Sequence, residues 1–100
     1  MKTRVHLDVV GFGERLRWFR EARRLAPEEL AELANYARRS LGSPGRPFTG
    51  SWIRLMERGA EGALGSVAYY RLASLGMALE IAPERLVPQT LYSQRVEMNE

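Results

Sequence analysis

Thr49-Gly50-Ser51-Trp52-Ile53-Arg54-Leu55-Met56-Glu57-Arg58-Gly59 reads as one short helix with both of its ends marked. Thr49 or Ser51 supplies an oxygen to cap the first turn, and Gly59 is the residue that most easily takes the left-handed conformation closing the last. Ile53 and Met56, three apart, share one face, which predicts that they point into a core. Immediately upstream, Ser40-Leu41-Gly42-Ser43-Pro44-Gly45-Arg46-Pro47 carries two Gly and two Pro and reads as a loop. Before that loop, Pro27 suits a first helical position and Glu28 and Glu29 complement the positive end of a helix. A second helix therefore starts there, with Leu30, Leu33, Ala34 and Ala37 as its buried stripe and small alanines that let another helix come close.

Further out, Phe12, Leu16 and Phe19 fall at i, i+4 and i+7, which predicts a first helix running to about Leu25. Arg15, Arg17, Glu21, Arg23 and Arg24 decorate its remaining surface, and Trp18, beside the stripe, reads as a partly buried lid. Gly11-Phe12-Gly13 resembles the opening of a dinucleotide loop, but the third Gly is missing and no βαβ unit follows, so the pair reads as a hinge. On the C-terminal side, Ser66 can cap a fourth helix whose inner face carries Tyr69, Leu72, Ala73, Gly76 and Leu79. Of the neighbours Tyr69 and Tyr70, one reads as core and the other as interface or surface. Ala82-Pro83-Glu84-Arg85-Leu86 adds a last helical turn or two, and Pro88 ends it. At the start of the chain Val5, Leu7 and Val9 alternate with His6 and Asp8 at the period of a strand. A lone strand leaves its backbone groups unpaired. The other strand candidate is Thr90 to Met98, which predicts an antiparallel pairing of the two arms, within one chain or between two. The organisation expected is an N-terminal arm at 1–11, a helical domain at 12–88 and a C-terminal tail at 89–100.

Composition narrows the chemistry. The 100 residues carry 15 Lys and Arg against 12 Asp and Glu, a formal charge of +3, with a pI near 9.8. Met1 to Arg58 holds 12 basic and 7 acidic residues, whereas Gly59 to Glu100 holds 3 and 5, so the positive field belongs to the front half. Between Leu33 and Arg58, five arginines face only Glu57. That asymmetry suits an anionic partner such as nucleic acid; Arg-rich decoration of solvated helices is the alternative. The absence of Cys removes disulfide frameworks, thiolate nucleophiles and Cys-based zinc sites, and suits a reducing compartment. One His, His6, builds no histidine metal cluster, and the scattered carboxylates form no nucleophile, base or metal constellation. The expectation is a protein without metal, cofactor or catalytic site. No window approaches the ~20 apolar residues of a membrane helix, and His6 and Asp8 interrupt the place of a secretory core. No membrane partner and a cytoplasmic location are expected.

Four segments together resemble the Cro-like or XRE-type helix-turn-helix regulators of phages and bacteria. Phe12 to Arg20 looks like that family's first helix, and Leu25-Ala26-Pro27-Glu28-Glu29-Leu30-Ala31 like the start of its second. Trp52 to Gly59 is similar to its recognition helix with the closing Glu-Arg-Gly. Ala78 to Leu86 resembles its corner between the fourth and fifth helices. The resemblance implies a mainly α, five-helix, lambda-repressor-like domain, to which the paired arms would add a short β element. Two departures stand out. An extended loop replaces the family's tight turn, which allows the reading helix a different angle. Ala26 and Pro27 stand where the family often has a Ser or Thr cap and a phosphate-touching Gln.

What the resemblance implies about function can be stated residue by residue. The B-DNA major groove, about 12 Å wide, admits a helix with its side chains. Gly50, Ser51, Arg54 and Leu55 would face base edges, with Thr49 and Trp52 nearer the phosphates. Arg54 is the leading base reader because its guanidinium can donate to O6 and N7 of guanine together; a surface salt bridge is its plain alternative. Leu55 would meet a thymine methyl or the core. Arg38, Arg39, Arg46 and Arg58, and the helix start at Ser66 and Val67, are expected at phosphates, which position without reading sequence. Arg20 and Glu57 resemble a family pair linking the first helix to the end of the third. The implied function is a sequence-specific transcriptional regulator of double-stranded DNA, a repressor acting as a homodimer. An antitoxin of a toxin pair, or a protein-interaction adaptor that no longer touches DNA, are the alternatives.

Overall fold

The computed structural model describes residues 4–6, 9–42, 45–59 and 66–87. Among them four α-helices follow one another: α1 (Val9–Ala22), α2 (Pro27–Ser40), α3 (Gly50–Arg58) and α4 (Tyr69–Leu79). A single 3₁₀ turn at Pro83–Leu86 follows α4, and a two-stranded ribbon joins β1 (Arg4–His6) to β2 (Ser66–Ala68). The short α3 packs on both α1 and α2, while α2 also packs along α4. No described helix is long and apolar enough to cross a membrane.

The helices converge on one apolar cluster. Phe12 and Leu16 come from α1, Leu30, Ala31 and Ala34 from α2, Ile53 and Met56 from α3, and Leu72, Leu75 and Leu79 from α4. Leu86 and Val87 complete it after the 3₁₀ turn, and Phe48 enters from the loop before α3. Ten large side chains of this set are fully buried, and cutting any such Leu or Ile to Ala costs about 2–5 kcal/mol. Between α1 and α3 the contact is closer than side chains allow. A Cβ on Gly13 would lie 2.2 Å from the Met56 carbonyl oxygen, so only glycine lets the two backbones touch there. Gly13 is thus a packing device inside α1, and the hinge expected at Gly11-Phe12-Gly13 is replaced by continuous helix from Val9.

Several other expectations are corrected. Val9 belongs to α1, which shortens the strand to Arg4–His6; its partner is Ser66–Ala68, antiparallel, with Arg4 opposite Ala68, Val5 opposite Val67 and His6 opposite Ser66. The segment 90–98, expected as that partner, lies outside the described residues, as does the boundary at Pro88. Because Ser66 sits in β2, it does not cap α4, which starts at Tyr69. A fifth α-helix is not formed after Ala82: four residues make one 3₁₀ turn. On α2 the buried stripe uses Ala31, while Leu33 is 43% exposed. Ala73 is half-buried, and Leu75 takes a full place in the α4 face. Trp18 is 65% exposed and meets Phe19 edge-on at 5.0 Å, so it is no lid over the core.

Candidate nucleic-acid interface

Both ends of α3 are fixed by its own sequence. The Trp52 backbone N–H donates to Thr49 Oγ1 at 3.0 Å, and Gly59 takes φ 58°, ψ 35° while donating to the Met56 carbonyl at 3.1 Å. Between these ends Ile53 and Met56 are buried, and Ser51, Arg54 and Arg58 form an exposed row on the opposite side. Leu55 and Gly50 are half-buried. The orientation of this row is set from outside the helix. Arg20 on α1 donates from Nε to Glu57 Oε2 at 2.5 Å and from Nη2 to Glu57 Oε1 at 2.8 Å. Its third branch, Nη1, donates to the Leu25 carbonyl at 2.7 Å. The two side chains are only 12% and 8% exposed. A planar guanidinium gripping both carboxylate oxygens fixes distance and angle together. The bond to Glu57 outweighs the opposing effect of burial and holds the Arg20 guanidinium more strongly protonated than usual.

Arg54 occupies the middle of the exposed row and pairs with Glu28 on the first turn of α2. Both side chains remain more than half exposed, so the pair is an accessible one, worth little in water. The hydrogen bond from Arg54 is the main reason the Glu28 carboxyl sits below the usual range, with its own backbone bond adding to the effect. Glu28 also lies over Gly50, where a Cβ would meet its Oε2 at 2.7 Å. At the neighbouring position Glu29 accepts from the Ala26 backbone N–H at 2.7 Å. That is the reciprocal half of a capping box; the alanine methyl cannot provide the other.

The loop ahead of α3 is anchored at Phe48. Asn35 of α2 donates from Nδ2 to the Phe48 carbonyl at 2.9 Å and accepts from the Phe48 N–H at 2.7 Å, satisfying both backbone groups of one residue. The Phe48 ring, 3% exposed, meets the Trp52 ring edge-on at 5.5 Å. Arg71 of α4 places its guanidinium 4.0 Å from the Phe48 ring centre and 4.9 Å from that of Trp52. From the same side chain Nη1 donates to the Arg46 carbonyl at 2.8 Å. Arg38 reaches the same loop, with Nη1 at 3.5 Å from the Gly45 carbonyl.

Most of the expected contacts fall in three places. Thr49 caps α3, and Gly50, Ser51, Trp52, Arg54 and Leu55 lie on its first two turns; Arg38 reaches the Gly45 carbonyl in the loop that carries Arg46; Arg58 is exposed on the last turn. Arg39 is exposed near the end of α2, and Ser66, in β2, is not at a helix start. Asn35, Phe48 and Arg71 are missing from the sequence-based set. Asn35 and Arg71 lie off the apolar stripes of their helices, whose period says nothing about which loop they reach, and Phe48 follows a Pro in a stretch that reads only as irregular.

A short helix with an exposed polar row, carried in front of a helical core by a second helix that touches its N-terminal end, is the frame of a helix-turn-helix reader of duplex nucleic acid. Comparison with solved structures gives the restriction-modification controller protein C.AhdI from Aeromonas hydrophila, 33% identical, covering 79% of this chain and 96% of that one, with a TM-score of 0.55. The chain belongs to the Cro-like, XRE-type helix-turn-helix regulators. No family model matches it, and neither does any curated sequence.

Proposed function

We propose that this chain is a sequence-specific, DNA-binding transcriptional regulator that works as a homodimer and represses from its operator. The observation that carries the reading is its similarity along almost the full length of a restriction-modification controller. The geometry supports it: the exposed face of α3 presents Ser51, Arg54 and Arg58 together, held at a fixed attitude by the Arg20–Glu57 clamp. In this reading Arg54 leaves Glu28 for a guanine, while Gly50, Ser51 and Leu55 lie along neighbouring base edges. Arg38, Arg39, Arg46, Thr49, Trp52 and Arg58 serve the backbone on either side. The protein binds without cofactor, metal or catalysis and acts in the cytoplasm. A dimer doubles these contacts and sets two half-sites about one helical turn apart.

Selecting bound sites from random duplexes tests the proposal directly. The expected result is a two-fold symmetric sequence, bound by a species that sediments as a dimer. At that site Arg54→Ala should cost about 1–3 kcal/mol and relax one base position, whereas Arg46→Ala should weaken all sequences alike. If both variants lose the same affinity on selected and random duplexes, Arg54 does not read a base. A non-enriched selection would favour the adaptor reading. Genes for a restriction enzyme and methyltransferase beside this one would match the role named for C.AhdI, and a toxin gene would instead favour an antitoxin.

A further inference from the structure

Gly45, Arg46, Thr49, Trp52, Tyr70 and Arg71 line a cleft of about 460 Å³ between the loop, the first turn of α3 and the start of α4. Arg71 is its least expected member. Its guanidinium is half-buried against two aromatic rings, and among the described residues it has no carboxylate partner. Of the five N–H donors that a guanidinium carries, the one hydrogen bond made among the described residues is from Nη1 to the Arg46 carbonyl. Burial disfavours the charge and lowers the Arg71 pKa from its ordinary value. Withdrawing a cation from water without an anion to meet it is costly. Stacking on Phe48 and Trp52 returns part of that cost through cation–π attraction and fixes the plane of the fork. The result is a pre-oriented donor set, open on a cleft whose other cation is the exposed Arg46.

We propose that this cleft seats one phosphate of the DNA backbone, with Arg71 as the anchoring donor beside the reading helix. The proposal rests on the DNA-binding reading and deepens it. The two non-bridging oxygens of a phosphodiester can accept the parallel pair of N–H donors that a planar guanidinium presents. The place also fits, because Thr49 and Trp52, which form the cleft's wall, lie on the end of α3 that would enter the groove. Arg71 would thus fix the position of α3 along the duplex without reading sequence.

The test is a salt titration of binding to a random-sequence duplex by the intact chain, Arg71→Met and, as a control with the same charge change elsewhere, Arg17→Met. Losing one phosphate contact should lower the log–log slope by about 0.9, so that the advantage of the intact chain over Arg71→Met shrinks about threefold to fourfold between 50 and 200 mM salt. Arg17→Met should keep the full slope. An unchanged slope in Arg71→Met overturns the proposal. An intact chain that binds no duplex at any salt defeats the regulator reading itself, a separate result. Inorganic phosphate provides a further arm: if it raises the melting temperature of the intact chain but not of Arg71→Met, while the DNA slopes agree, the cleft takes a small anion and the DNA assignment falls. Should Arg71→Met not fold, the Arg71 Nε–H resonance of the intact protein decides, with Arg71→Lys identifying the signal. Movement on adding duplex supports the contact, and a stationary signal overturns it.

Discussion

Arg20 does three things with one guanidinium: it binds both oxygens of Glu57 and the Leu25 carbonyl in the link between α1 and α2. Removing it strands a carboxylate that is 8% exposed and a backbone acceptor at once. Arg20→Ala should therefore lower stability by about 3 kcal/mol, more than Glu57→Ala does, and the double variant should lose less than the sum. Urea denaturation of the four proteins checks this, and strictly additive losses would mean the pair is not coupled. Glu28 offers a contrasting case on the surface. Its carboxyl is held below the usual range by Arg54, so whatever the pair contributes is present above the ordinary carboxylate pKa and lost as pH falls through the lowered one. In Arg54→Ala the Glu28 side-chain carbon signal should titrate at higher pH than in the intact chain, and an unmoved midpoint would show that the pair is absent in solution.

Among the helices, α1 and α3 are the pair whose spacing is set by backbone rather than side chains. Gly13→Ala drives a methyl into the Met56 carbonyl and should cost about 1–3 kcal/mol despite alanine's better helix propensity. Thermal melting should show the drop, and an equal or higher melting temperature would mean the two helices stand further apart. How much of this was legible follows from the same physics. The α3 segment announces itself because Thr49, Ile53, Met56 and Gly59 each sit where helix geometry demands. The end of α1 does not: Arg24 adopts φ 57°, a left-handed position that sequence assigns to glycine, so the expected end at Leu25 overshoots Ala22. Gly13 misleads for the opposite reason, since a glycine required by a distant carbonyl looks identical to one required by a turn. The exposure of Ser51, Arg54 and Arg58 on α3 follows the contacts that the family resemblance implied for them. The Asn35–Phe48 and Arg71–Arg46 links could not, because each joins residues that only the folded chain brings together.

Assembled, the domain places a basic face around α3 and its loop, which makes binding a matter of displaced ions. Neutralising about six phosphates per bound unit predicts a log–log salt slope of roughly −5, and a flat response would remove the nucleic-acid reading. The ribbon of β1 and β2 brings the front of the chain against the approach to α4, so two stretches far apart in sequence flank the same part of the fold. The anchorage of Phe48 by Asn35 has a different kind of consequence. With the chain pinned there by two hydrogen bonds, the attitude of α3 is referred to α2 at that point and not to the number of residues spent since α2 ended. Gly42, left-handed at φ 66° but facing open space, stands upstream of that pin. On the proposed reading, a peptide tag or fluorophore spliced in at Gly42 should leave operator choice intact, and a changed selected sequence would show that the loop ahead of Phe48 also sets the attitude of α3.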